Sequence, residues 1–193
     1  MSKTYSIKEM YYTLQGEGAH TGRPALFLRF AGCNLWSGQE KHRATAVCKF
    51  CDTQFVGVDG PGGGKFTSPE ELATAVDKKW PNGPGKYVVC TGGEPMLQLD
   101  NELVEALHVK GFEVAIETNG TLEALASIDW ICVSPKANAG LVQKSGNELK
   151  LVFPQKEPEA QPEKFENLDF ENFFLQPLED ESWSDNTKAA VQY

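Results

Sequence analysis

Short apolar runs rich in β-branched and aromatic residues alternate along this chain with segments whose apolar positions recur at helical spacing. Ala25-Leu26-Phe27-Leu28-Arg29-Phe30 reads as a strand running towards Cys33. From Cys33 to Gly64 there is little periodicity, and Gly60-Pro61-Gly62-Gly63-Gly64 closes the stretch as a breaker. That length predicts a functional loop, or one containing a short helix. Ser68 offers an N-cap with Glu71 three residues on, ahead of Leu72, Ala75 and Val76 on one face, which predicts a helix over 68–79. Tyr87–Cys90 is a short buried strand, Asn101–Val109 a second helix and Glu113–Glu117 a further strand. A short helix near 122–127 follows, then strands at Trp130–Ser134, Glu148–Phe153 and Phe173–Gln176. The acidic, proline-containing stretch from Gln155 to Glu166 predicts a solvated surface loop. Strands joined by crossovers imply parallel order and one right-handed winding. The expected fold is α/β, a partial TIM-like barrel of mostly parallel strands with crossover helices and a long loop at about 31–64. No internal repeat is visible, and 193 residues suit one domain, 1–193, with a core of its own.

In parallel α/β architectures the ligand site lies beyond the carboxyl ends of the strands. Polar and small residues collect at those ends here: Thr91-Gly92-Gly93-Glu94-Pro95, Glu117-Thr118-Asn119-Gly120, Ser134-Pro135-Lys136 and Gln176-Pro177-Leu178-Glu179. A Gly-Gly-Glu after a strand is by itself more often a turn with an exposed acid. Paired glycines also let the backbone approach a ligand closely, while Glu94 suits an ammonium group. Glu117 ends an apolar strand and suits two vicinal hydroxyls, or equally a helix cap or a surface pair. Ser134 and Lys136 suit a carboxylate, against the plainer reading of a solvated loop. Arg29 sits in an otherwise apolar strand, where an unpaired guanidinium is costly.

The cysteines add chemistry to that face. Cys33, Cys48 and Cys51, with fourteen and two residues between them, lie in a loop rich in Gly, Asn and Asp. Three thiolates leave one position of a four-site centre open, which a structural zinc site does not do and an iron-sulfur cluster with one unligated iron does. Cys90 and Cys132 lie inside apolar strands and read as small core residues. The net charge of -9 argues against nucleic acid as the main partner. Residues 1–20 lack a secretory pattern and no apolar run is long enough for a membrane span, so a soluble cytoplasmic protein without a membrane partner is expected. There clustered thiols stay reduced and serve metals or catalysis rather than disulfides.

Together these motifs resemble the radical S-adenosylmethionine (SAM) superfamily. Tyr11-Tyr12-Thr13-Leu14-Gln15-Gly16-Glu17-Gly18 and Arg29-Phe30-Ala31-Gly32-Cys33-Asn34-Leu35 narrow the resemblance to the 7-carboxy-7-deazaguanine synthases of the queuosine pathway, over about residues 8–179. The superfamily's usual cysteine spacing is three and two; the longer spacing here is similar to one branch of that synthase family. The resemblance implies a 4Fe-4S cluster on Cys33, Cys48 and Cys51, whose open iron chelates SAM. It implies a carbon-nitrogen lyase in which a 5'-deoxyadenosyl radical takes hydrogen from C6 of 6-carboxy-5,6,7,8-tetrahydropterin, starting ring contraction to 7-carboxy-7-deazaguanine with loss of ammonia. SAM is expected against Gly92, Gly93, Glu94, Glu117, Ser134, Pro135, Lys136 and the run Gln176, Pro177, Leu178, Glu179. The carboxy-pterin is expected against Leu14, Gln15, Gly16, Glu17, Arg29 and Thr91. Mg2+ is expected on Thr53, with Asp52 beside it and most ligands from substrate and water.

For Leu14–Gly18 the plainer reading is an ordinary turn. A homodimer and a flavodoxin-type electron donor are implied by the family. Its members continue into a His-bearing final segment, and Ser184–Tyr193 is similar to the helix leading towards it. His20 and His42 are expected to be exposed loop residues, and Trp36 to help fold the cysteine loop. Two rivals are another radical enzyme, such as a glycyl-radical activase, and a zinc-binding interaction module with Cys33, Cys48, Cys51 and His42 as a closed site.

Overall fold

In the computed structural model, which describes residues 3–193, alternation along each strand sorts side chains onto two faces of one sheet. In β2 (Pro24–Phe30), Leu26, Leu28 and Phe30 point to the helix side and are fully buried. Phe27 points the other way, with Tyr87, Val89, Ala115 and Trp130. The pattern repeats in β4 (Tyr87–Gly92), β5 (Glu113–Thr118) and β6 (Trp130–Val133), whose Val88, Cys90, Val114, Ile116 and Ile131 pack on the helix side. On that side lie α1 (Pro69–Asp77) and α2 (Asn101–Val109), through Leu72, Val76, Leu103 and Leu107. With β7 (Ser145–Phe153) and β8 (Asp169–Pro177) a second apolar cluster forms around Leu149, Leu151, Phe165 and Phe170.

The sheet has eight strands in the order β3 (Gly64–Phe66), β1 (Tyr5–Leu14), β2, β4, β5, β6, β7, β8. From β2 through β8 every neighbouring pair is parallel. The sheet does not close on itself, so the expected α/β partial barrel is the fold. The amino-terminal edge departs from the expected order. β1 pairs antiparallel with β2 and with the short β3. A register shift between Ile7 and Glu9 explains why β1 has no clear alternation in sequence: its buried residues are Tyr5, Ile7 and Met10, and the last interval is three.

Local signals set the helix ends. Ser68 Oγ accepts from Glu71 N at 3.1 Å, while Glu71 Oε2 reaches back to Thr67 N at 2.7 Å. The α1 helix ends at Asp77, two residues short of its expected end, and α3 spans Trp183–Gln192. The helix expected near 122–127 does not form. Asn119 Oδ1 accepts from Thr121 N at 3.0 Å, Gly120 has φ +74°, and Gln143 Oε1 takes Ala124 N at 3.0 Å, so the local amides are engaged elsewhere. Nor is 155–166 a solvated loop: it makes 3-10 turns at Pro158–Ala160 and Pro162–Lys164 and buries Gln155, Ala160, Pro162 and Phe165. Among the described residues no helix is long and apolar enough to cross a membrane.

Candidate active site

The face of the sheet turned away from α1 and α2 carries charge where the other carries aliphatic groups. Register places Arg29 beside Thr91, Glu117 beside Cys132 and Cys132 beside Glu148, so polar side chains run in a row across the strands. Above them opens a cleft of about 490 Å³, whose walls include Gln15, Gly16, Glu17, Arg29, Thr91, Gly92, Gly93 and Glu117. Cys48, Cys51, Thr53, Ser134, Lys136 and Gln176, Pro177, Leu178 and Glu179 line it as well. Nearly all the residues expected from the sequence are thus brought together. Four are not on its wall: Leu14 is 59% exposed, Pro135 and Glu94 are buried, and Cys33 lies behind Gly93.

Glu117 is the hub. Its Oε1 accepts from Gln15 Nε2 and Lys150 Nζ, each at 3.2 Å, and its Oε2 from Thr91 Oγ1 at 3.1 Å. Burial would raise its pKa, but the Lys150 ammonium and these hydrogen bonds outweigh it and hold the carboxyl below the usual range. Two of its partners, Gln15 and Thr91, are residues expected at the pterin, so Glu117 joins the residues expected at the substrate to those expected at SAM. Lys150 was not foreseen. It is buried and also pairs with Glu17 Oε2 at 2.7 Å. Burial lowers its pKa, and Glu117, Cys132 and Glu17 raise it by more. The signal was present in sequence: in Glu148-Leu149-Lys150-Leu151 charges occupy alternate positions of an apolar strand, one whole face.

Glu94, expected at an ammonium group, is held between the ends of two neighbouring strands. It is fully buried, and its carboxylate accepts from Met96 N at 3.0 Å, Thr118 Oγ1 at 2.7 Å and Asn119 N at 2.8 Å. Burial raises its pKa against those bonds. The side chain braces the loop after β4 against the end of β5, leaving the glycines to face the cleft. Gly92 has φ +136°, and a Cβ there would meet Phe30 O at 2.3 Å; a Cβ on Gly93 would meet Gly32 O at 2.1 Å. Across the cleft Lys136 Nζ bonds both Ser134 O and Ser134 Oγ at 2.6 Å, and its pKa is lowered by burial. Arg29 donates Nε to Glu9 Oε1 at 2.9 Å and Nη2 to Tyr11 OH at 3.3 Å; among the described residues Nη1 has no partner. His20 lies in a loop but is half-buried rather than exposed: its ring is tilted on Trp130, with centroids 4.1 Å apart, and Nδ1 meets Tyr87 OH at 2.9 Å.

The cysteine loop reaches this cleft despite its length because the insertion closes on itself. Leu35 O accepts from Val47 N at 3.1 Å and Cys48 N at 3.4 Å, so the ends of the long gap meet and Cys48 returns close to Cys33. Leu35 N also donates to Cys33 Sγ at 3.4 Å. Cys48 and Cys51 are free thiols; a hydrogen bond between them and burial push Cys48 up, while the same hydrogen bond lowers Cys51 to about 6. Among the described residues no three His, Cys, Asp or Glu side chains are gathered so as to hold one metal ion. A closed zinc site with His42 is therefore not the arrangement found, and His42 Nδ1 instead meets Ser37 Oγ at 2.8 Å. Cys48 and Cys51 on the cleft wall and Cys33 against Gly93 give three thiolates, the set that a cluster with one open iron takes.

The profile of the radical SAM superfamily matches residues 42–145. Fold and site together define a radical SAM domain, with the 4Fe-4S cluster and SAM that this superfamily uses. A 7-carboxy-7-deazaguanine synthase of Caulobacter vibrioides is 60% identical over 98% of this chain and 90% of its own length, and one of Burkholderia multivorans is 59% identical over the same shares. The crystal structure of QueE from Escherichia coli superposes with a TM-score of 0.74 at 29% identity, covering 98% of this chain and 89% of that one. The chain belongs to the 7-carboxy-7-deazaguanine synthase family.

Proposed function

We propose that this protein converts 6-carboxy-5,6,7,8-tetrahydropterin to 7-carboxy-7-deazaguanine with release of ammonia, one step in making queuosine and other 7-deazapurines. The observation that carries this reading is a single cleft in which Gln15, Arg29, Thr91 and Glu117 face Cys48 and Cys51. Cys33, Cys48 and Cys51 would hold the cluster, and Gly92, Gly93, Ser134, Lys136 and Gln176 to Glu179 would hold SAM. Bound there, the two supply one-electron bond cleavage and hydrogen-atom abstraction. The chain's own residues bind, orient and shield. Glu117, kept ionised, and Gln15 suit the donor-rich aminopyrimidinone edge, and the unpartnered Nη1 of Arg29 suits the substrate carboxylate. Glu94 acts through the glycine loop it braces.

Thr53, whose Oγ1 lies 3.4 Å from Asp52 Oδ1, would give Mg2+ one oxygen, the rest coming from substrate and water. The reading takes 1–193 as one catalytic domain, supported by the continuous eight-stranded sheet. It includes a homodimer and a flavodoxin-type donor, both from the family resemblance. The test is anaerobic turnover of the carboxy-pterin with SAM and a reductant, with and without magnesium. We expect product in both, and several-fold more with the ion; no product in either sinks the proposal.

A further inference from the structure

We propose that Arg43, inside the fourteen-residue insertion between Cys33 and Cys48, is a positioning residue for the Cys48–Cys51 segment and so for the cluster it carries. The inference rests on the cluster reading above and assigns a task to a stretch whose sequence has no motif of its own. The insertion contains a 3-10 turn, Glu40–Thr45, with no buried residue, so burial in the core does not fix its place. Arg43 does. Its Nη1 donates to Lys49 O at 2.8 Å and to Cys51 O at 3.1 Å, capping two carbonyls of the backbone that presents two of the three thiols. Its Nε bonds both Glu40 oxygens, at 2.9 and 2.8 Å, and its Nη2 also reaches Glu40.

The guanidinium carbon lies 4.0 Å from the centroid of the Trp36 ring. That ring is 8% exposed and packs edge-on against Phe55 at 5.7 Å, while its Nε1 has no hydrogen-bond partner among the described residues. Packing rather than polar bonding therefore holds Trp36, and Arg43 supplies one face of that packing. A planar cation can stack and donate in its own plane at once; an ammonium can do only part of this. One side chain thus ties the turn, a buried ring and the Cys-x-x-Cys backbone together. With Leu35 O closing the insertion's ends, this gives the long spacing a fixed path to Cys48 and on to Cys51.

The test compares the wild-type chain, R43K and R43Q after anaerobic reconstitution. It reads iron and sulfide per chain, the rate of iron loss to a chelator, the electron paramagnetic resonance spectrum of the reduced cluster, and thermal melting. For R43Q we expect iron loss about tenfold faster, matching the loss of one charge-assisted hydrogen bond, and an altered spectrum. R43K should fall between it and wild type, and melting of the cluster-free proteins should stay close to wild type. Wild-type iron loss and spectrum in R43Q would overturn the assignment while leaving the cluster reading intact. If R43Q does not fold, R43K decides by the same measurements, and wild-type behaviour there overturns it too. A wild-type chain that takes up no 4Fe-4S cluster would instead remove the reading on which the inference rests.

Discussion

At Lys150 one buried ammonium faces two carboxylates, Glu17 at 2.7 Å and Glu117 at 3.2 Å, and the cleft keeps its charge order through that shared ion. Replacing it with methionine strands Glu117 in a poorly solvated place and leaves the exposed Glu17 unpaired. We expect K150M to lose about 3 kcal/mol in urea unfolding, the lower end of what breaking a buried ion pair costs, and to bind the carboxy-pterin at least tenfold more weakly. The pH dependence has a definite sign. Glu117 is held below its ordinary value, so its contribution to stability is complete above about pH 4.3 and is lost as pH falls through the lower folded value. In K150M burial is no longer outweighed by the ammonium and raises the Glu117 pKa, so part of the lost stability should return as pH falls, visible in melting curves between neutral and acid. Gly93 gives a sharper test of fit. A Cβ there would lie 2.1 Å from Gly32 O and 2.8 Å from Cys33 Cβ, so G93A should displace the cysteine loop. Reconstituted G93A should hold less than half the iron of wild type while its far-ultraviolet circular dichroism is unchanged.

Among the elements, α2 shows how a local signal carries tertiary weight. Asp100 caps it by accepting from Leu103 N at 3.0 Å, and the same carboxylate takes the Tyr5 hydroxyl at 2.8 Å and Lys3 Nζ at 2.6 Å, tying the helix to the start of β1. D100A should cost about 2 kcal/mol, the upper end for losing a cap, measured by chemical denaturation. Burial alone would raise the Asp100 pKa, but the Lys3, Leu103 and Tyr5 contacts hold it below the usual range. Its share of stability is present above about pH 3.9 and lost as pH falls through the folded value, so D100N should flatten the acid limb of the melting profile. Elements with a clear period were legible in sequence: β2, β4, β5 and both crossover helices lie where alternation and capping put them. The misses have physical causes. A bulge hid β1, Asn119 and Gln143 took the amides a helix at 122–127 needs, and the acidic 155–166 stretch still buries Phe165.

For the whole molecule, parallel order among β2, β4, β5, β6, β7 and β8 puts their carboxyl ends at one rim, which is why motifs scattered from Thr91 to Glu179 meet in one cleft, while Gln15 to Glu17 reach it from the end of the antiparallel β1. That convergence was legible from strand-end residues alone. The partner of each side chain was not: whether Glu94 faces a ligand or braces a loop, or that Lys150 joins two acids, depends on distances across strands far apart in sequence. The family assignment and the cleft lead to one central claim, that this cleft abstracts hydrogen from the pterin and contracts its ring. The most direct measurement supplies the reconstituted, reduced protein with SAM, Mg2+ and 6-carboxy-5,6,7,8-tetrahydropterin carrying deuterium at C6, and follows products by mass spectrometry. The account predicts 7-carboxy-7-deazaguanine together with deuterium in 5'-deoxyadenosine. Unlabelled 5'-deoxyadenosine without the deazaguanine, from protein that holds its cluster, would contradict it.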